Sequence, residues 1–173
     1  VGTLRKEGRV TPLTVISRAH PLVRYHIPQP PGTNVCGQCC VAMLANITLD
    51  QACEIIGHRH ITGTREMARA LRNLGYLADG RLTRIYFKRG EIMRVKQQPC
   101  KVGIIKAVPR YSRVWKRHGH FRWVVKSGSK ICDPGLKAPV GLTFYIENVL
   151  RLTAFMEVRL KERKVIRGSQ RPR

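Results

Sequence analysis

The segment GTNVCGQCCVAML places Cys36, Cys39 and Cys40 within five residues. Thiols at that spacing serve as metal ligands, as a redox pair, or as one nucleophile with two neighbours. A structural zinc site needs a second pair of ligands beside the C-x-x-C of Cys36 and Cys39. Cys100 and Cys132 stand singly, with HRH at 58–60 and HGH at 118–120 as the other donors, so neither a metal nor any other cofactor is expected. Disulfides are not expected in a chain this size with ample aliphatic residues, and the adjacent Cys39 and Cys40 pair badly. A thiol at a helix N-terminus meets free backbone N–H groups and the positive end of the macrodipole, which favour the thiolate. Cys36 has that address. Cys40 falls with the apolar stripe as a core residue, and Cys39, expected to be partly exposed, is the second candidate. A nucleophilic thiolate wants an imidazole to carry its proton and a carboxylate or amide to orient the imidazole. HGHFRWVVKSGSKICDPG supplies both on one expected hairpin: His120 opens a strand and Asp133 closes the returning one, before Pro134 and Gly135. A turn near Gly128 would set position 120 roughly opposite position 133 or its neighbours, within side-chain reach on one face. His118, on the same strand face, is the rival base.

The elements that must position these groups follow from periodicity and caps. Cys40, Val41, Leu44 and Ile47 fit a helix beginning at or beside Cys36, delivered by the Pro- and Gly-rich lead-in HIPQPPGTN. Thr48 followed by Gln51 forms a capping-box pattern, so TLDQACEII is a second helix stopped by Gly57. Thr64 is expected to cap a third, with Met67, Ala70, Leu71 and Leu74 as its apolar stripe and Gly75 as terminator. A short strand-like run, LTVIS, precedes the lead-in. After Leu77 the runs RLTRIYF, KVGIIKAV, HFRWVVKS and KICDP are β-type, with SGS as a hairpin turn. LTFYIENVLRLTAFMEV is a final strand or helix, and RLKERKVIRGSQRPR a basic tail expected to be loosely held. Helices first and an antiparallel sheet second is an α+β plan. The expected organisation is a basic extension over 1–28, one domain over 29–158 and a tail over 159–173.

VCGQCCVAML, with GHFRWVV and DPG further on, resembles the nucleophile, "GHFVV" and "DP" motifs of the bacteriocin-processing, double-glycine peptidases, a papain-like cysteine peptidase family. The helices between them are similar in type, order and spacing, and the likeness covers roughly residues 29 to 140. It implies a papain-like fold, Cys36 as nucleophile, His120 as general base and acid, and Asp133 as the group that orients His120. The family has an oxyanion-holding glutamine six residues before the nucleophile; that position is Pro30 here, and Gln29 is the nearest match, with the Cys36 backbone N–H as the other donor. Val35 stands where the family has an acidic or polar residue. The alternative papain frame would make Cys39 the nucleophile but puts Thr33 at the glutamine position.

The implied activity is thiol-dependent hydrolysis of a peptide or amide bond in a peptide or protein substrate. Deamidation and acyl transfer proceed through the same thioester. The contrasting reading is a basic nucleic-acid-associated or assembly-binding protein on a peptidase fold. Thirty-three Lys and Arg against ten Asp and Glu give a net charge of +23, which implies an anionic partner, nucleic acid or another polyanion. Trp115, Trp123, Tyr111 and Phe121 among basic residues form a mixture able to stack on single-stranded nucleic acid, or to pack in the sheet core. No apolar run approaches the roughly 20 residues of a membrane span, and VGTLRKEGRV is not a secretory leader, so a cytoplasmic protein is expected.

Overall fold

A computed structural model describes residues 23–85, 102–109 and 121–161. The run at 13–17, Cys100, Tyr111, Trp115, His118 and His120 lie outside them, as does the tail beyond residue 161. The described residues form an α+β structure. Three helices come first: α1 (Cys36–Ala45), α2 (Leu49–Ile56) and α3 (Thr64–Asn73). Gly37 through Ala45 are all buried, so α1 is enclosed on every side rather than along one stripe. Thr48 caps α2 through a complete capping box with Gln51, and Gly57 ends it at φ 97°, a left-handed conformation that glycine adopts without a Cβ penalty. The cap of α3 is Gly63, one residue ahead of the expected Thr64; Glu66 reaches back to accept its N–H at 2.7 Å.

The strands are β1 (Tyr76–Leu77), β2 (Thr83–Arg84), β3 (Val102–Pro109), β4 (Arg122–Ser127), β5 (Lys130–Cys132), β6 (Val140–Gly141), β7 (Leu150–Glu157) and β8 (Arg159–Leu160). The main sheet is antiparallel in the order β2-β7-β3-β4-β5-β6. Its residues alternate between two cores, as the strand period requires. Ile104, Trp123, Val125, Cys132 and Met156 pack with α1, α2 and α3. Ile105, Ala107, Val124, Ile131 and Leu152 pack with α4 (Leu142–Asn148) on the other side. The segment expected as a final strand or helix is therefore both, α4 followed by β7. Among the described residues no single helix is long and apolar enough to cross a membrane.

The ends of the folded unit lie outside positions 29 and 158. Val23 and Ile27 pack against the helical core, and His26 Nε2 lies 2.8 Å from the Leu136 carbonyl. Residues 159–161 are not loosely held: β8 pairs with β1, and the Lys161 N–H donates to the Gly75 carbonyl at 3.1 Å. The apolar alternation of β7 runs on through buried Val158, so the chain remains pinned to the core where charge density alone suggested a tail. Truncation after Val158 removes these hydrogen bonds and is expected to cost about 1–3 kcal/mol, read as a drop of roughly 2–12 °C in thermal midpoint.

Candidate functional site

The site is built where α1 begins against the first residues of β4. A Cβ on Gly37 would lie 2.9 Å from Thr62 Cβ, 3.1 Å from Met67 Sδ and 3.4 Å from Trp123 Cδ1, so glycine here lets the helix start close onto the strand. Trp123 Nε1 donates to the Thr62 carbonyl at 2.9 Å. Gln38, fully buried, donates through Nε2 to the His60 carbonyl at 2.8 Å and the His58 carbonyl at 3.2 Å. The 58–62 loop is thereby fastened to both α1 and β4. His58 Nε2 lies 3.1 Å from Glu66 Oε1, and the rings of His58 and His60 stack at 3.7 Å.

Cys36 is the first residue of α1 and half-buried. Burial pushes its thiol above the ordinary cysteine value; hydrogen bonding from the Trp123 backbone, the Arg122 charge and the Gly37 backbone pull the other way, and Asp133 raises it further. The helix start alone therefore does not yield the lowered thiol its address suggested, because desolvation outweighs the favourable dipoles. The Trp123 N–H is available because of register. Ser127 pairs with Lys130 and Val125 with Cys132, where β5 ends. Residues of this parity turn their N–H groups toward β5, and two positions beyond its end Trp123 has no ladder partner there. Cys39, expected to be partly exposed, is fully buried, and burial pushes its thiol up to about 12. Cys40 is buried in the core, and burial pushes its thiol well above the ordinary cysteine value.

Asp133 follows β5 and is fully buried. Its Oδ1 accepts the Gly135 N–H at 2.7 Å, its Oδ2 the Tyr145 hydroxyl at 2.8 Å, and Arg122 Nη1 lies 3.4 Å from both oxygens. The Tyr145 hydroxyl is held well above the usual phenol value, first by burial and then by the Asp133 charge. The hairpin register is set by its turn. The turn is Gly128–Ser129, closed by Ser127 and Lys130 with Gly128 at φ 60°, and continuing that register sets Asp133 across from Val124. Arg122 is the β4 side chain that reaches the carboxylate, bending over Gly135, whose missing Cβ leaves room for the guanidinium. His120 lies outside the described residues, two positions ahead of Arg122 in the sequence.

Gln29 is held beside the same turn by its backbone N–H, which donates to the Pro134 carbonyl at 2.7 Å. Its side-chain amide turns back on its own loop and donates to the Thr33 carbonyl. One amide N–H is thus committed within the lead-in. No group of three or more His, Cys, Asp and Glu side chains able to hold a metal occurs among the described residues.

Arg122, Tyr145 and the Trp123 backbone were missed by reading motifs alone. The arginine inside the otherwise apolar FRWVV run was the available signal, since a charge in a central strand demands a partner. No protein-family model, curated protein or solved structure matches this chain.

Two substitutions test this geometry. Gly37→Ala forces apart Thr62, Met67 and the start of β4 and is expected to cost about 1–3 kcal/mol in a denaturant titration. Asp133→Asn turns an amide N–H toward groups that all donate, so it is expected to destabilise by about 1–3 kcal/mol, with Tyr145→Phe costing less.

Proposed function

We propose that this chain is a papain-like thiol hydrolase, of the double-glycine peptidase type, that cleaves a peptide or amide bond. Cys36 acts as nucleophile, His120 as general base and acid, and Asp133 as the group that orients His120. The observation that carries this reading is a tertiary meeting of distant segments. The Cys36 thiol stands at the start of α1 against the Arg122–Trp123 end of β4, within the electrostatic reach of Asp133.

In the reaction Cys36 Sγ attacks the carbonyl carbon as His120 takes the thiol proton. His120 then returns that proton to the departing amine, and water resolves the thioester. A buried thiol with a raised pKa needs such a base, since little thiolate exists at neutral pH without one. The Cys36 backbone N–H and the remaining amide N–H of Gln29 are the proposed oxyanion donors. A deamidase or acyltransferase would use the same groups with a different leaving or entering partner.

The partners of Asp133 favour a second reading. Arg122, Gly135 and Tyr145 already occupy both its oxygens, as they would if the carboxylate served only to join α4 to β4. The fold would then be the scaffold of a basic nucleic-acid-associated or assembly-binding protein.

Thiol alkylation followed by intact mass and peptide mapping separates the two. The hydrolase reading expects one fast-labelling cysteine at neutral pH, Cys36, with labelling and peptide turnover lost in Cys36→Ala. In His120→Ala the labelling profile should move to higher pH, because thiolate then forms only as pH rises through the raised thiol pKa. A profile unchanged by loss of His120 would remove the base from the mechanism. Dominant labelling of Cys39 would move the nucleophile to the other frame.

A further inference from the structure

Strand β7 carries a bulge opposite β3. Leu152 pairs with Ala107 and Ala154 with Lys106, so Thr153 is the extra residue. The Thr153 hydroxyl donates to the Lys106 carbonyl at 2.9 Å, and its carbonyl accepts the Ile85 N–H at 2.8 Å, which fixes the bulge and draws the end of β2 against it. Beside it lies a cavity of about 450 Å³. Arg84 of β2, Lys106 of β3 and Arg151 of β7 line it, with Leu82, Ile85 and Ala154 as an apolar wall. The register sets Arg84 across from Ala154 and Ala154 across from Lys106, so two of these cations lie in one cross-strand row.

Three cations from three adjacent strands thus line one concavity. Among the described residues no carboxylate pairs with any of them; Lys106 Nζ instead lies 4.2 Å from the centroid of the Phe121 ring. Like charges gathered this way repel one another, and an anion seated among them relieves the repulsion. A single carboxylate offsets one charge, whereas a phosphate group presents several acceptor oxygens and up to two charges to donors from three strands. The cavity volume falls within the range of small-molecule sites.

We propose that this cavity binds a phosphate group, with the apolar wall of Leu82, Ile85 and Ala154 receiving part of the organic body that carries it. The site does not depend on the hydrolase reading, since Cys36 lies at the β5 edge of β4 and Lys106 is across β4 on β3. The phosphate has two chemical sources, a free nucleotide or a polynucleotide backbone.

The test is an anisotropy titration of the full chain with a fluorescent nucleoside 5′-monophosphate at fixed ionic strength. Inorganic phosphate, acetate and a single-stranded oligonucleotide serve as competitors. Saturable one-to-one binding, displaced by inorganic phosphate and not by acetate, is expected. Arg84→Gln, Lys106→Gln and Arg151→Gln should each weaken it about tenfold or more, while Lys106→Arg and the exposed control Lys137→Gln keep it within about twofold, with circular dichroism reporting the fold. Displacement by the oligonucleotide that is lost in the same variants assigns the phosphate to a polynucleotide, and displacement by free nucleotide alone assigns it to a small ligand. Acetate competing as well as phosphate, an equal loss in Lys137→Gln, or no saturable binding would overturn the proposal.

Discussion

The close seat of α1 on β4 is the constraint on which the rest of the described structure depends. A helix buried on every side must be held by shape, because it has no polar face to orient it. Gly37 provides that shape by admitting Thr62, Met67 and Trp123 to the space a side chain would fill. The Trp123 indole then reaches the Thr62 carbonyl, and the buried Gln38 amide gathers the carbonyls of His58 and His60. Each bond satisfies a carbonyl of the 58–62 loop. Cys36 lies at the one end of this helix where the backbone N–H groups have no intrahelical acceptor, and where β5 has already left the Trp123 N–H free of the ladder.

A second constraint lies at the end of β5. Asp133 is wholly buried, and a buried carboxylate persists only with charge and hydrogen-bond partners. It draws them from different layers: Arg122 from β4, Tyr145 from α4, and the Gly135 N–H from its own turn. The carboxylate thereby ties α4 to β4 beside the turn that also holds Gln29 through the Pro134 carbonyl. The candidate site is consequently a junction of the lead-in, α1, β4 and the Asp133 turn. Its precision depends on packing of the whole sheet.

The excess of positive charge is distributed with some order. Arg122 is held against Asp133, Arg59 against Asp50 and Arg159 against Glu157. Arg84, Lys106 and Arg151 line the cavity beside the β7 bulge without such a partner among the described residues. A bulge re-aims side chains that a regular ladder would alternate, and here it brings Thr153 and Ala154 of β7 to the same concavity.

Much of the architecture was written in local pattern. The capping box of Thr48 and Gln51, the glycine stops at Gly57 and Gly75, and the β-type apolar runs of β3 and β4 are short-range features, set by backbone sterics and by neighbours a few residues apart. The start of α1 at Cys36 was legible for the same reason. What tertiary structure alone decided is which groups meet. The Gly128–Ser129 turn fixed a register that sets Asp133 across from Val124, with Arg122 reaching over to its carboxylate. Burial of Cys39 and the upward push on the Cys36 thiol arise from residues far away in sequence that close over them. The paired strand at Arg159–Leu160 was read as tail because its charge is local, while its partner at Tyr76–Leu77 is not. Propensity, caps and periodicity act over one or two turns and are visible in a string of letters. Desolvation, strand register and the partners of a buried charge depend on what the folded chain brings within a few ångströms, and only the fold specifies that.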